Sequence, residues 1–146
     1  MLTVIRQVRD CQEHRIVVGV WLYQYSVTNP DKVLIKYLDA ALNKLPKYKG
    51  EVTRSIYFFN EDQLNKFVKD HTSNNIVKYT GYTSATTGDV YNPAGQVELY
   101  ILSKTGRDIR KYNESEQEIL FKRGVSFIVT DLEEVEGKFY IRLKEV

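Results

Sequence analysis

Two glutamates, Glu116 and Glu118, stand two positions apart at the head of the apolar run Ile119–Leu120–Phe121. If Glu116 to Phe121 forms a strand, both carboxylates face one side of it, whereas on a helix they would diverge. Two carboxylates in one cleft can divide labour, one staying ionised and the other shifted toward proton transfer. They also make a negative wall suited to a cation, either an arginine side chain or a positively charged transition state. The wider stretch, "NESEQEILFKRG", adds Glu114 to the alternation. Solvated acids ahead of a strand would have the same spacing, so the pair is a candidate site only in company.

Two other segments offer that company. Arg54 lies inside the apolar, β-prone "GEVTRSIYF". A guanidinium there either pairs with a carboxylate or grips a phosphate through two parallel hydrogen bonds. Thr83, Ser84, Thr86 and Thr87 cluster in "YTGYTSATTGDVYNPAG", where a strand meets a Gly/Asn/Pro loop. Short hydroxyls orient carboxylates and ligand hydroxyls. The same composition also describes an ordinary strand and turn.

The elements that must carry these residues change character near residue 70, from helical to strand-rich. "NPDKVLIKYLDAALNKLP" is the clearest helix: Asn29 can cap it, Pro30 suits its first turn and Pro46 stops it. Leu34, Tyr37, Leu38, Ala41, Leu42 and Leu45 recur at helical spacing and predict one buried face. "NEDQLNKFVKDH" is a second helix, with Asn60 and Gln63 as a capping box and Leu64, Phe67 and Val68 inward. "HRIVVGVWLYQYS" fits strand or helix equally. Later, "IVKYTGYTS", "GQVELYILS", "EILF" and "VSFIVTD" read as strands, and Gly137 sits in the turn of a closing hairpin. Ser103 to Ser115, "SKTGRDIRKYNES", reads as a basic loop given freedom by Gly106. Helices first and antiparallel strands after predict an α+β fold in a single domain, residues 1–146.

Composition removes several function classes. A formal net charge of +2 over 146 residues gives no basis for a nucleic-acid or anionic-membrane partner. Cys11 is the single cysteine, so neither an intrachain disulfide nor a cysteine-based zinc site can form. His14 and His71 have no metal-ligand spacing, and no metal is expected. The longest apolar run, Ile16 to Tyr23, falls well short of the roughly 20 residues of a membrane span. "MLTVIRQVRD" has no cleavable signal pattern, and its methionine permits either a complete protein or an excised domain. There is no Gly-x-Gly-x-x-Gly and no Walker loop, so a nucleotide would be held by other means.

The order Arg54, then "SAT" at Ser84–Thr86, then "EQE" at Glu116–Glu118 resembles the signature of arginine-type mono-ADP-ribosyltransferases. The resemblance covers about residues 15 to 146 and is strongest from "VELYILSKTG" onward, where it is similar to bacterial toxin and phage-encoded members, including domains on phage head-morphogenesis proteins. It departs at Thr53, at Ala85 and at Asn113, positions where an aromatic, a threonine and an aromatic are frequent. The resemblance implies N-terminal helices packed on two antiparallel-rich β-sheets that form an NAD cleft. It implies NAD as substrate, cleaved at the nicotinamide–ribose bond, and an arginine of a protein as acceptor. Arg54 would grip the diphosphate, the main chain at Ser55 would flank nicotinamide, Thr86 would line the cofactor site and Tyr91 would stack on the cofactor. Ser84 would hold Glu118, which would meet the ribose, and Glu116 would orient and deprotonate the acceptor. Arg107, Arg110, Tyr112 and Asn113 would belong to the acceptor-recognition loop. The setting implied is a soluble protein acting in a cytoplasm, secreted or injected without a cleavable signal or phage-associated, with room for an immunity or carrier partner. The same residues leave open an NAD glycohydrolase and a catalytically silent binding or structural module.

Overall fold

The computed structural model describes residues 32–90, 94–112 and 114–146. The expected cap at Asn29, Pro30 and the segment "HRIVVGVWLYQYS" lie outside them.

Helix α1 (Lys32–Asn43) buries Ile35, Leu38 and Leu42, and Leu45 continues the stripe just beyond its end. Leu38, Leu42 and Leu45 are buried as expected, Tyr37 is 64% exposed with Ile35 buried in its place, and the side chain of Leu34 lies outside the described residues. The i, i+3, i+7 spacing of Ile35, Leu38 and Leu42 is the better helical stripe. Strand β1 (Lys47–Ile56) follows, then α2 (Glu61–Asp70). Asn60 caps α2, its Oδ1 accepting from the amides of Asp62 at 2.7 Å and Gln63 at 3.2 Å. Leu64 and Phe67 pack on the core, though no residue of α2 is fully buried.

The remaining strands are β2 (Ile76–Tyr79), β3 (Thr83–Thr86), β4 (Val97–Asp108), β5 (Glu118–Phe121), β6 (Val125–Val135) and β7 (Lys138–Glu145). Among the described residues, seven strands form one ladder in the order β1-β3-β5-β4-β7-β6-β2, with β1 also paired to β4. The strands β1, β3, β5 and β4 thus close on themselves, while β7, β6 and β2 extend from β4. These are two arms of a β-rich α+β fold, and β4 belongs to both. Its first half, Val97 to Leu102, lies between β1 and β7, and its end, Arg107 and Asp108, meets β5. Every pairing is antiparallel except β4 with β7.

The core draws on strands of both arms. Val97, Leu99 and Ile101 of β4 meet Ile141 and Leu143 of β7, Phe127 of β6 and Ile119 and Phe121 of β5. Each such side chain stabilises the fold by about 1.5–3 kcal/mol. The last hairpin turns on Glu136 and Gly137, both left-handed at φ 51 and 80, as a two-residue turn between twisted strands requires.

Ser103 to Asp108 is strand, not loop, so the expected basic loop shrinks to the residues after β4. Gly106 serves close approach rather than freedom. A Cβ there would stand 2.7 Å from Ile119 Cγ2 and 2.7 Å from Ser103 Oγ, so its absence lets β4 cross β5. No helix among the described residues is long and apolar enough to cross a membrane.

Candidate functional site

Strand β3 brings the three sequence segments together. It lies between β1 and β5, with Thr53 opposite Thr86 on one side and Thr86 opposite Glu118 on the other. Arg54 donates from Nη1 to the Ser84 carbonyl at 2.7 Å, across 30 residues of chain. Ser84 Oγ donates to Glu118 Oε1 at 2.7 Å, across 34. A continuous path therefore runs from the guanidinium through Ser84 to the carboxylate.

Glu118 is 6% exposed. Burial, which disfavours the charged form, pushes its carboxyl up to about 7; the Ser84 hydrogen bond opposes this, the nearby Glu116 charge adds to it and Arg54 opposes it. The two glutamates are thus close enough to act on each other, one buried and one half-buried.

Glu116 reaches that place by a route other than the expected strand. The strand begins at Glu118, and Glu116 and Gln117 lie in the preceding turn. Gln117 has φ 49, a left-handed backbone that a side chain normally avoids. Hydrogen bonds from β3 and its exit hold that turn: Thr86 Oγ1 donates to the Glu116 carbonyl at 2.9 Å, and the Thr87 amide donates to the Gln117 carbonyl at 3.0 Å. Thr86 is therefore placed to fix the main chain between the carboxylates. Gln117 and Thr87 shape the turn that carries Glu116, a part that sequence reasoning did not assign to them. The Thr-Thr pair after "SA" was the available sign; nothing in a glutamine announces a positive φ.

Ser55 is met from the other side by the chain returning to β4. A Cβ on Gly95 would lie 2.2 Å from Ser55 Oγ and 2.8 Å from the Ile56 carbonyl. Only glycine lets the two backbones approach this closely.

A cleft of about 840 Å³ opens beside Arg54, bounded by Ile56, Phe58, Phe67, His71 and Tyr79, with Lys69 and Lys78 among its other walls. Arg54 borders the cleft and bonds to Ser84, the partner of Glu118, while Glu116 and Glu118 are not among the cleft's walls. His71 Nδ1 sits 2.7 Å from the Phe67 carbonyl and must donate to it, so Nε2 accepts from the Tyr79 hydroxyl at 2.8 Å. Burial holds this imidazole below its ordinary value, and it is neutral at pH 7. No three His, Cys, Asp or Glu side chains among the described residues are grouped to hold a metal.

The expected acceptor loop is largely reassigned. Arg107 is buried in β4 and donates from Nη1 to the Leu45 carbonyl at 3.0 Å, satisfying the end of α1 instead of facing a partner. Arg110, in a 3₁₀ turn at Arg110–Tyr112, forms a two-point pair with Asp108 at 3.0 and 2.8 Å and stacks 5.1 Å over Tyr48. Tyr112 remains on that turn, half-buried, with the Lys111 ammonium 5.1 Å over its ring. Tyr91 and Asn113, expected at the cofactor and the acceptor, lie outside the described residues.

No family model and no curated protein matches the sequence. Solved structures do match in fold. The ADP-ribosyltransferase HopU1 of Pseudomonas syringae pv. tomato is 24% identical, with a TM-score of 0.68 over 77% of this chain and 52% of its own. The ADP-ribosyltransferase Vis of Vibrio splendidus, solved in complex with agmatine, is 24% identical, with a TM-score of 0.61 over 79% of this chain and 57% of its own. The type III effector XopAI of Xanthomonas axonopodis pv. citri is 20% identical, with a TM-score of 0.67 over 98% of this chain and 71% of its own. The chain thus spans a little over half the length of the HopU1 and Vis chains it matches. Its fold is the one that the ADP-ribosyltransferases HopU1 and Vis share.

Proposed function

We propose that the chain is an NAD-dependent mono-ADP-ribosyltransferase that transfers ADP-ribose from NAD to an arginine of a protein and releases nicotinamide. The observation that carries this reading is the hydrogen-bonded path Arg54–Ser84–Glu118, which ends on a buried carboxylate beside a second one. The fold shared with ADP-ribosyltransferases supports it.

The residues suit each demand of the reaction. Arg54, at the edge of the cleft, takes the diphosphate through charge-assisted hydrogen bonds. The main chain at Ser55, held by Gly95, flanks the nicotinamide. The bond between ribose C1′ and the nicotinamide nitrogen breaks, its electron pair leaves with neutral nicotinamide, and positive charge develops on the ribose. Ionised Glu118 accepts a hydrogen bond from a ribose hydroxyl and stabilises that charge in a site largely shielded from water. Ser84 fixes its orientation. The positive nicotinamide ring and the developing cation both favour the ionised form, so NAD binding lowers the Glu118 pKa from its unliganded value near 7.

Glu116, outside the strand and half-buried, faces the acceptor. A guanidinium is too basic to attack while protonated, so its proton must pass to a base as the new C1′–N bond forms; Glu116 serves as that base. Agmatine is a guanidinium compound, and its complex with Vis supports an arginine-like acceptor here. XopAI's description as a type III effector supports a bacterial protein that acts after delivery.

The test is incubation with labelled NAD and a lysate, beside Glu118→Gln and Glu116→Gln. Labelled protein that both changes abolish is the expected result. NAD loss without labelled protein, surviving Glu116→Gln, means water is the acceptor and the protein is an NAD glycohydrolase. Folded protein that consumes no NAD in varied lysates sinks the enzyme reading.

A further inference from the structure

The strands that carry Ser84 and Glu118 are only four residues each, β3 and β5. Isolated pairs so short have little stability of their own. At the Thr86–Glu118 end they are tied by Thr86 to the Glu116 carbonyl. At the other end, Thr83 pairs with Phe121, and one side chain of α1 reaches both strands there. Asp39 Oδ1 accepts from the Tyr82 hydroxyl at 2.6 Å, immediately before β3. The same carboxylate pairs with Arg123, two residues beyond β5, and the Arg123 guanidinium lies 5.9 Å over the Tyr82 ring. One turn further along α1, Asn43 Oδ1 accepts from Lys122 Nζ.

These contacts are unequal. Asp39 and Arg123 are both partly exposed, and an ion pair in that position contributes little. Tyr82 is 1% exposed, and its only other acceptor among the described residues is the Ile35 carbonyl at 3.5 Å. A buried hydroxyl left without an acceptor is costly, so Tyr82 strongly prefers the position in which Asp39 meets it.

We infer that Asp39 is a positioning residue for the reaction: by fastening the entrance of β3 to α1 through the Tyr82 hydroxyl, it holds Ser84 against Glu118. The inference rests on the reading of Glu118 as the carboxylate that meets the ribose. Asp39 touches no substrate; it acts through Tyr82 and the register of a strand pair.

The test uses Asp39→Ala, Asp39→Asn and Tyr82→Phe, with Val129→Ala in β6 as a core variant matched for loss of Tm. The first readout is the titration of the Glu118 carboxyl by carbon NMR in the unliganded protein, which needs no turnover. Asp39→Ala and Tyr82→Phe are expected to raise its midpoint by about half a unit, because the Ser84 hydrogen bond that lowers it loosens. Asp39→Asn keeps an acceptor for Tyr82 and is expected to stay near wild type. The second readout is turnover: kcat for NAD falls about tenfold in the first two variants, with KM within about twofold, as for a misplaced group remote from binding. An unmoved midpoint in folded Asp39→Ala overturns the proposal, as does an equal movement in Val129→Ala. Wild-type protein that consumes no NAD sinks the transferase reading and this role with it. That failure is distinguishable, because the titration reports on the clamp without turnover.

Discussion

Two glutamates are buried to the same degree in this molecule, Glu118 at the start of β5 and Glu145 at the end of β7, each 6% exposed. Their surroundings differ in kind. Glu145 accepts from the amides of Lys104 at 2.5 Å and Thr105 at 2.7 Å, and from the Thr105 hydroxyl. Three donors satisfy it, and it staples the end of β7 to the middle of β4. Glu118 accepts from the Ser84 hydroxyl, and has a like charge, Glu116, nearby. One carboxylate is finished by the fold; among the described residues, the other keeps acceptor capacity to spare. Burial alone therefore does not mark a functional acid. What marks it is burial with incomplete compensation.

Glu118→Gln tests this contrast most severely. Gln can still accept from Ser84 but carries no charge, so on the proposed role of Glu118 at the ribose, transfer is expected to fall by about 10³-fold in a labelled-NAD assay. Its stability should move the other way. Folded Glu118 keeps its proton up to about pH 7, whereas an unfolded glutamate releases it near 4.5. The folded state binds more protons between those values, so wild-type stability falls as pH rises through that window. The whole shift amounts to about 3 kcal/mol. Denaturant melts at pH 4 and pH 8 should show the variant gaining on wild type by that order, with the gain confined to the higher pH.

Glu145 should behave in the opposite way. Glu145→Ala strands two amides and a hydroxyl and is expected to destabilise by about 2–4 kcal/mol, with the activity of the folded fraction unchanged. Glu145→Gln can turn its carbonyl to the two amides and its NH₂ to the Thr105 hydroxyl, and should stay within about 1 kcal/mol of wild type. Melting curves with activity per folded molecule measure both. A charge requirement at Glu145 would break the comparison.

The sequence carried one side of this contrast and not the other. Arg54, Ser84, Glu116 and Glu118 were legible because a family order of residue types picks them out, and Asn60 and Gly137 because caps and tight turns depend on local chemistry. Glu145 gave no sign, since its donors lie 40 residues away on another strand. The same holds for the corrections. Arg107 reads as a loop cation until Leu45 is seen to need a donor, and Gly106 reads as a hinge until β5 is seen to cross it. Glu116 reads as strand until Thr86 and Thr87 are seen to hold a left-handed Gln117. Each of these depends on contacts between distant segments, which alternation and propensity do not encode.

The finest test separates the influences on Glu118 itself. If transfer needs the ionised carboxylate, kcat/KM falls as pH drops through its pKa, and the wild-type acid limb sits near 7. Ser84→Ala removes the hydrogen bond that lowers that pKa, so the limb moves up. Glu116→Gln removes the like charge that raises it, so the limb moves down, provided that residual NAD hydrolysis is followed in place of transfer. Opposite movements of about half a unit each are expected, and a double variant should fall between them. His71 predicts something else: it contacts Phe67 and Tyr79, and neither substitution touches those partners. A limb that ignores both changes would therefore place the titration outside the carboxylate pair, and a His71 limb would lie lower, because burial holds that imidazole below its ordinary value. Opposite shifts would show that Ser84 and Glu116 tune one acid from two sides.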